Sequence, residues 1–234
     1  MTDHLDAVTT LQRVAVHIVA RARVQGTGRF SLRTTPGGFG TPEFGDGPRR
    51  IRVGGGSLFV ESDRPGAARV RTAPLHGSTL ASLAELAGVD LGEGLDVGHD
   101  TPPLGDPDAP IELDGAHAGG VHRAHAIGAE ALDIVAAMLP ADAMPTLARL
   151  WPEHFDIALD AEARPGVRIN LGVSPGDGFV GEPYAYAGPW TADRPGADGF
   201  WNASFGAART LSDLGNDPTA IAAFLYEGFA RLAG

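Results

Sequence analysis

Glycine and proline interrupt this chain so often that few stretches are left in which a helix can run. There are 33 glycines and 18 prolines among 234 residues. At about a fifth of the residues and without a period, that is short of the composition of a disordered chain, and it dictates many turns. Hydrophobic residues make up 43% of the sequence, enough to bury a core.

The surviving helical stretches are legible by their spacing. Leu5, Val8, Leu11, Ala15, Ile18 and Ala22 recur at three and four, which predicts a helix over 5–23 that stops at Gly26 and Gly28. A short helix over 78–87 turns Leu80, Leu83 and Leu86 inward, with Gly77 or Ser78 as its cap and Gly88 as its end. A central helix runs from the cap Asp114 to Leu139 and is stopped by Pro140. A last helix starts at Asp217-Pro218 and buries Ile221, Phe224, Leu225, Gly228 and Leu232.

Most of the remainder alternates with period two. Phe30 and Leu32 begin a half-buried strand, and 49–53 with 57–61 form a hairpin turned by Gly54-Gly55-Gly56. Residues 67–72, 154–160, 167–173, 182–186 and 200–205 are further predicted strands. The glycine-rich run Thr35–Pro42 reads as a loop. The fold class is therefore α+β: an antiparallel sheet from residues 28–72 and 154–206, flanked by three main helices at 5–23, 115–139 and 217–232. Neither strand-rich part carries enough helix to cover a sheet alone, so a single domain over 1–234 is expected. The loop 88–110, rich in proline, glycine and acids, is the best place for an internal boundary.

Two absences exclude whole reaction classes. All 18 basic residues are arginine and there is no cysteine. Schiff-base chemistry, a P-loop lysine, thiol nucleophiles, disulfides and zinc–thiolate sites are thereby excluded. The formal charge of −11 argues against a general nucleic-acid partner. Charge is unevenly placed, with eleven arginines against six acids in residues 1–71 and an acidic remainder. That division fits two complementary surfaces packed in one fold. The first residues have neither a basic nor an apolar region, and no apolar run reaches membrane-spanning length, so a cytoplasmic protein without a membrane partner is expected.

Gly172-Val173-Ser174-Pro175-Gly176 has the spacing of a nucleophile elbow. Pro175 lacks the backbone N–H that an oxyanion hole needs, no helix follows, and no histidine lies beyond His154. The run is read as a turn. Gly37–Gly40 lacks the spacing of a dinucleotide-binding loop. On the central helix, His122 and His125 at i, i+3 could supply two ligands to a metal ion, while His117 stands too far from His125 to join them. The alternative reading is that His125, beside Val121 on the apolar stripe, is a satisfied core histidine and His122 lies toward the polar flank.

The richest chemistry is expected on one strand face. In extended chain, His154, Asp156, Arg168 and Asn170 point away from the apolar side, and Glu182, Tyr184 and Tyr186 join them from a neighbouring strand. Trp190, Trp201 and Phe205 crowd the same region. Such a mixture suits a polar ligand pocket, acid–base work or a hard-metal site.

The segments Trp151–Asp156, Ser174–Asp177, Glu182-Pro183-Tyr184, Gly188-Pro189-Trp190 and Phe200-Trp201-Asn202, with Thr35–Pro42 near the start, resemble an uncharacterised protein family associated with actinobacteria. The order of elements is also similar to a broader bacterial domain family of unknown function. The resemblance implies a shared fold, an intracellular bacterial setting and a cluster worth testing near 151–202. It brings no activity and no catalytic residue.

Three readings follow. The first is a protein that binds a small polar or aromatic molecule in a pocket between the sheet and the central helix, with Tyr184, Tyr186, Trp190, Asn170, Arg168 and His154 lining it. The second is a metal-assisted hydrolase or related enzyme, with His154, Asp156 and Glu182 as ligands or acid–base groups and Arg168 holding an anionic substrate. The third is a partner-binding structural protein that uses the acidic stretch 88–110. Sequence leaves open whether the chain is an enzyme, any cofactor or metal, and its oligomeric state.

Overall fold

A computed structural model describes residues 3–45, 48–63, 69–92, 94–95, 97–98, 101–196 and 199–234. The chain divides into two units, the first of residues 1–123 with 150–155 and the second of 124–149 with 156–234. Each has its own apolar core. The fold is α+β and antiparallel throughout, but the strands make two sheets of five rather than one.

In the first unit, helix α1 (His4–Val14) is opened by Asp3, whose carboxylate accepts from the Asp6 N–H at 2.9 Å while Asp6 reciprocates. The helix continues through a π-helical segment (Ala15–Ala20), all of it buried, into α2 (Arg21–Thr27). Gly26 is carried inside, and the stop is Gly28, in the left-handed region at φ 69°. Strands β1 (Arg33–Thr35), β2 (Gly38–Gly40), β3 (Arg49–Gly54), β4 (Ser57–Ser62) and β5 (Val70–Pro74) pair in chain order. Ile51 opposite Val60 and Val53 opposite Leu58 place four apolar side chains on one face. They pack with Leu11, Ile18 and Leu83, the last from α3 (Leu80–Ala87). The cap of α3 is Thr79, paired with Ser82, one residue after the expected Ser78.

The expected loop at Thr35–Pro42 instead contains β2. A Cβ on Gly40 would lie 2.6 Å from the Arg52 Cβ. Glycine is required there because two strand backbones approach closely, and that composition is easily read as a turn.

The described residues of 90–104 carry no regular structure, yet the helix holds this stretch by four side chains spaced four residues apart. Arg13 donates to the Leu104 carbonyl (2.6 Å), His17 Nε2 to Pro102 (2.8 Å), and Arg21 (3.2 Å) and Gln25 (2.9 Å) both to Asp90. In place of the single domain expected, with 88–110 as the best place for an internal boundary, the chain forms two units, and that stretch lies within the first. The change of unit falls within α4 (Gly115–Met138), whose first turn is capped by Asp114 through the Ala116 and His117 N–H groups at 2.9 and 3.0 Å.

A 3₁₀ turn (Ala141–Ala143) and β6 (Arg149–Trp151), where the chain crosses between units, follow. In the second unit β7 (Asp156–Arg164), β8 (Val167–Ser174), β9 (Tyr184–Pro189) and β10 (Ala207–Thr210) pair in chain order, with β6 beyond β7. One face carries Ile157, Leu159, Ile169, Leu171, Val173, Ala185 and Ala187. The second half of α4 and α5 (Pro218–Ala233) cover it. Contact is close: a Cβ on Gly128 would lie 2.8 Å from Val173 and one on Gly228 2.5 Å from Ala187. The predicted strand at 200–205 is a turn, and β10 starts only at Ala207. Its aromatics serve α5 instead, with Phe200 5.4 Å from the Phe224 ring and edge-on to Trp201 at 4.9 Å. Among the described residues no helix is long and apolar enough to cross a membrane.

Candidate functional site

Period two puts the other face of the second sheet in register. Residues directly opposite across an antiparallel pair share a face. Asp160, Asn170 and Gly188 form one row; Ala158, Gly172 and Tyr186 the next; Ser174 and Tyr184 a third. Successive rows are roughly 7 Å apart along the strands.

In the first row the Trp190 indole N–H donates to Asn170 Oδ1 at 2.8 Å, and the Trp190 backbone N–H to the Arg168 carbonyl at 3.0 Å. The Arg168 guanidinium stands 5.8 Å from the indole centroid and donates through Nε to Asp160 at 2.5 Å. Thr146 holds the second Asp160 oxygen at 2.9 Å. The indole, 61% exposed, is thus an aromatic surface fixed from below.

The second row depends on a missing side chain. The Tyr186 ring lies across Gly172, where a Cβ would come within 2.5 Å of it. In that position the phenol donates to the buried carboxylate of Asp156. Phe205 closes the site edge-on to Tyr186 at 6.2 Å.

In the third row Tyr184 donates to Asp177 Oδ2 at 2.6 Å. Asp177 Oδ1 accepts the N–H groups of Phe179 (2.8 Å) and Val180 (3.1 Å), a turn fixed by an aspartate side chain. Ser174, buried at the end of β8, accepts the Gly176 N–H at 3.2 Å, and no helix follows within 175–183. Ser174 is a strand-end residue bound into that turn.

Burial raises the pKa of both phenols. Tyr186 is pushed well above its usual value by desolvation, with the charge of Asp156 adding to it. Tyr184 is raised by burial and then by its bond to Asp177. An unfolded phenol releases its proton near pH 10 and these two do not, so their burial contributes stability below that pH and loses it above. Two of the chain's three tyrosines are therefore expected to stay protonated at about pH 11 while the chain is folded. Ultraviolet difference absorbance of native and urea-unfolded protein checks this; three tyrosinates in the native protein would refute it.

The structure brings together some of the expected site and separates the rest. Asp156, Tyr184, Tyr186, Asn170, Arg168 and Trp190 share one face. His154 belongs to the first unit and is exposed in a turn closed by the Phe155 N–H on the Trp151 carbonyl at 2.7 Å. Phe155 is left-handed at φ 56°, which breaks the alternation expected to align His154 with Asp156. Glu182 is exposed before β9 and accepts from Ser212 at 2.8 Å. Among the described residues no group of three or more His, Asp or Glu side chains is arranged to hold a metal ion. His122 and His125 are both buried on α4, and among the described residues no third ligand joins them.

The expected pocket between sheet and central helix is filled, since apolar side chains and Gly128 pack there. The polar groups lie on the opposite face. Sequence reasoning passed over Asp177 and Gly172. A glycine inside a strand signals close approach, and Asp-Gly after a strand signals an aspartate-bound turn. Comparison with protein-family models, curated proteins and solved structures finds no match to this chain.

Proposed function

We propose that the protein binds a small polar or aromatic molecule on the polar face of the second sheet. The ligand stacks on Trp190 and takes hydrogen bonds from Asn170 and Arg168, with Tyr184 and Tyr186 behind. The observation that carries this reading is Trp190 itself. A large aromatic side chain 61% exposed contributes little to a core, yet Asn170 and Arg168 hold it in one orientation. Fixing an aromatic plane beforehand lowers the entropy cost of stacking a ligand on it.

A thermal-shift screen across metabolite classes tests this directly. At least one class is expected to raise the melting temperature, and Trp190→Ala is expected to remove that shift while folding normally. A screen without a stabiliser, or a shift that survives Trp190→Ala, overturns the reading.

A further inference from the structure

A groove of about 410 Å³ opens in the first unit between α1 and residues 109–112. That volume falls within the range of small-ligand sites. Val14, Leu80 and Ile111, all buried, give it an apolar floor. Its charged groups are placed by helix geometry. Asp6 and Arg13 are seven residues apart, so they lie on nearly the same side of α1 with roughly 10 Å between them along the axis. Thr9 and Thr10 stand between, and Glu112 adds a second carboxylate to the lining.

These groups keep capacity for a ligand. Arg13 uses one guanidinium nitrogen on the Leu104 carbonyl, which fixes the side chain without neutralising it. Asp6 uses one oxygen on the Asp3 N–H. Glu112 is exposed and 3.8 Å from His76 Nδ1. That nitrogen also accepts the Leu113 N–H at 3.3 Å. The groove thus pairs two carboxylates with one guanidinium across hydroxyls and a small apolar floor.

We propose that this groove binds a short zwitterionic peptide of about three residues, the length whose extended backbone spans roughly 10 Å. Its ammonium group meets Asp6 and Glu112, its carboxylate meets Arg13, and its amides meet Thr9 and Thr10. The site is separate from the face carrying Trp190 and does not rest on the function proposed for it.

Calorimetric titration of the full-length protein with trialanine, N-acetyl-trialanine and trialanine amide tests the proposal. Trialanine is expected to bind with a Kd below about 1 mM, and blocking either end to weaken it by about tenfold or more. Glu112→Gln, a surface change, is expected to weaken the free peptide and leave the N-acetyl peptide unaffected. Trp190→Ala is expected to change neither. Equal affinity for free and blocked peptides, or no heat and no perturbation of the Thr9 and Thr10 amide resonances at millimolar trialanine, overturns it.

Discussion

Lowering the pH from 6.5 to about 4 is expected to cost the first unit about 3 kcal/mol of stability through His122 alone. His122 is buried, and burial lowers its pKa to about 4. Once unfolded, the imidazole takes up a proton near 6.5. Between those values the unfolded chain binds more protons than the folded one, so stability is complete above the window and is lost as pH falls through it. His17 adds in the same direction. Burial lowers its pKa, the Pro102 carbonyl opposes that shift, and Arg21 and Arg13 add to it. Urea unfolding at about pH 7, 5.5 and 4.5, read by amide exchange in the first unit, measures the slope. Comparison with His122→Leu separates this histidine from the carboxylates, because that variant removes the proton-binding site and keeps an apolar side chain. A variant whose stability falls as steeply as the parent's would remove His122 from the explanation.

Gly172→Ala is the second change with a large expected effect, a loss of about 3 kcal/mol or more in the second unit. The added methyl group lands on the Tyr186 ring, 2.5 Å from its nearest atom. The ring must move, and its bond to the buried Asp156 carboxylate breaks. Overpacking alone typically costs 1–3 kcal/mol, and losing a hydrogen bond to a charged group roughly 1.5–3. Tyr186→Phe alone removes only the bond. Added to Gly172→Ala it is expected to cost almost nothing more, since the bond is already gone. Denaturant midpoints of the two single variants and the double variant form the test, and additive losses would contradict the arrangement.

The elements set by local rules were legible. The 49–62 hairpin follows from alternation around three glycines, and α5 from an aspartate cap followed by proline. Pairing was less legible. Alternation marks each strand and its buried face but does not encode which strands become neighbours, so two sheets were read as one. Composition misled twice. Gly38 and Gly40 belong to a strand because backbones crowd there, and Phe200 and Trp201 lie outside one because they pack on α5. In the site, Arg168, Asn170, Tyr184 and Tyr186 fell on one face because regular strands preserve period two. His154 left that group through a single left-handed residue, Phe155, and nothing in its side chain announces that conformation.

The π-helical segment frees a distant part of the chain from the exact length of the helix. In a regular α-helix, residues four apart drift by about 40° at each step, so Gln25 would stand about 120° around from Arg13. The wider winding at Ala15–Ala20 turns the chain back and keeps Arg13, His17, Arg21 and Gln25 facing residues 90–104. A one-residue deletion there would restore ordinary winding and leave Arg21 seven and Gln25 eleven residues from Arg13, both within about 20° of that line. Asp90 would then keep both side chains that hold its carbonyl. The wide turn thus absorbs one extra residue locally, so descendants can gain or lose that residue without rebuilding the loop 65 residues further on.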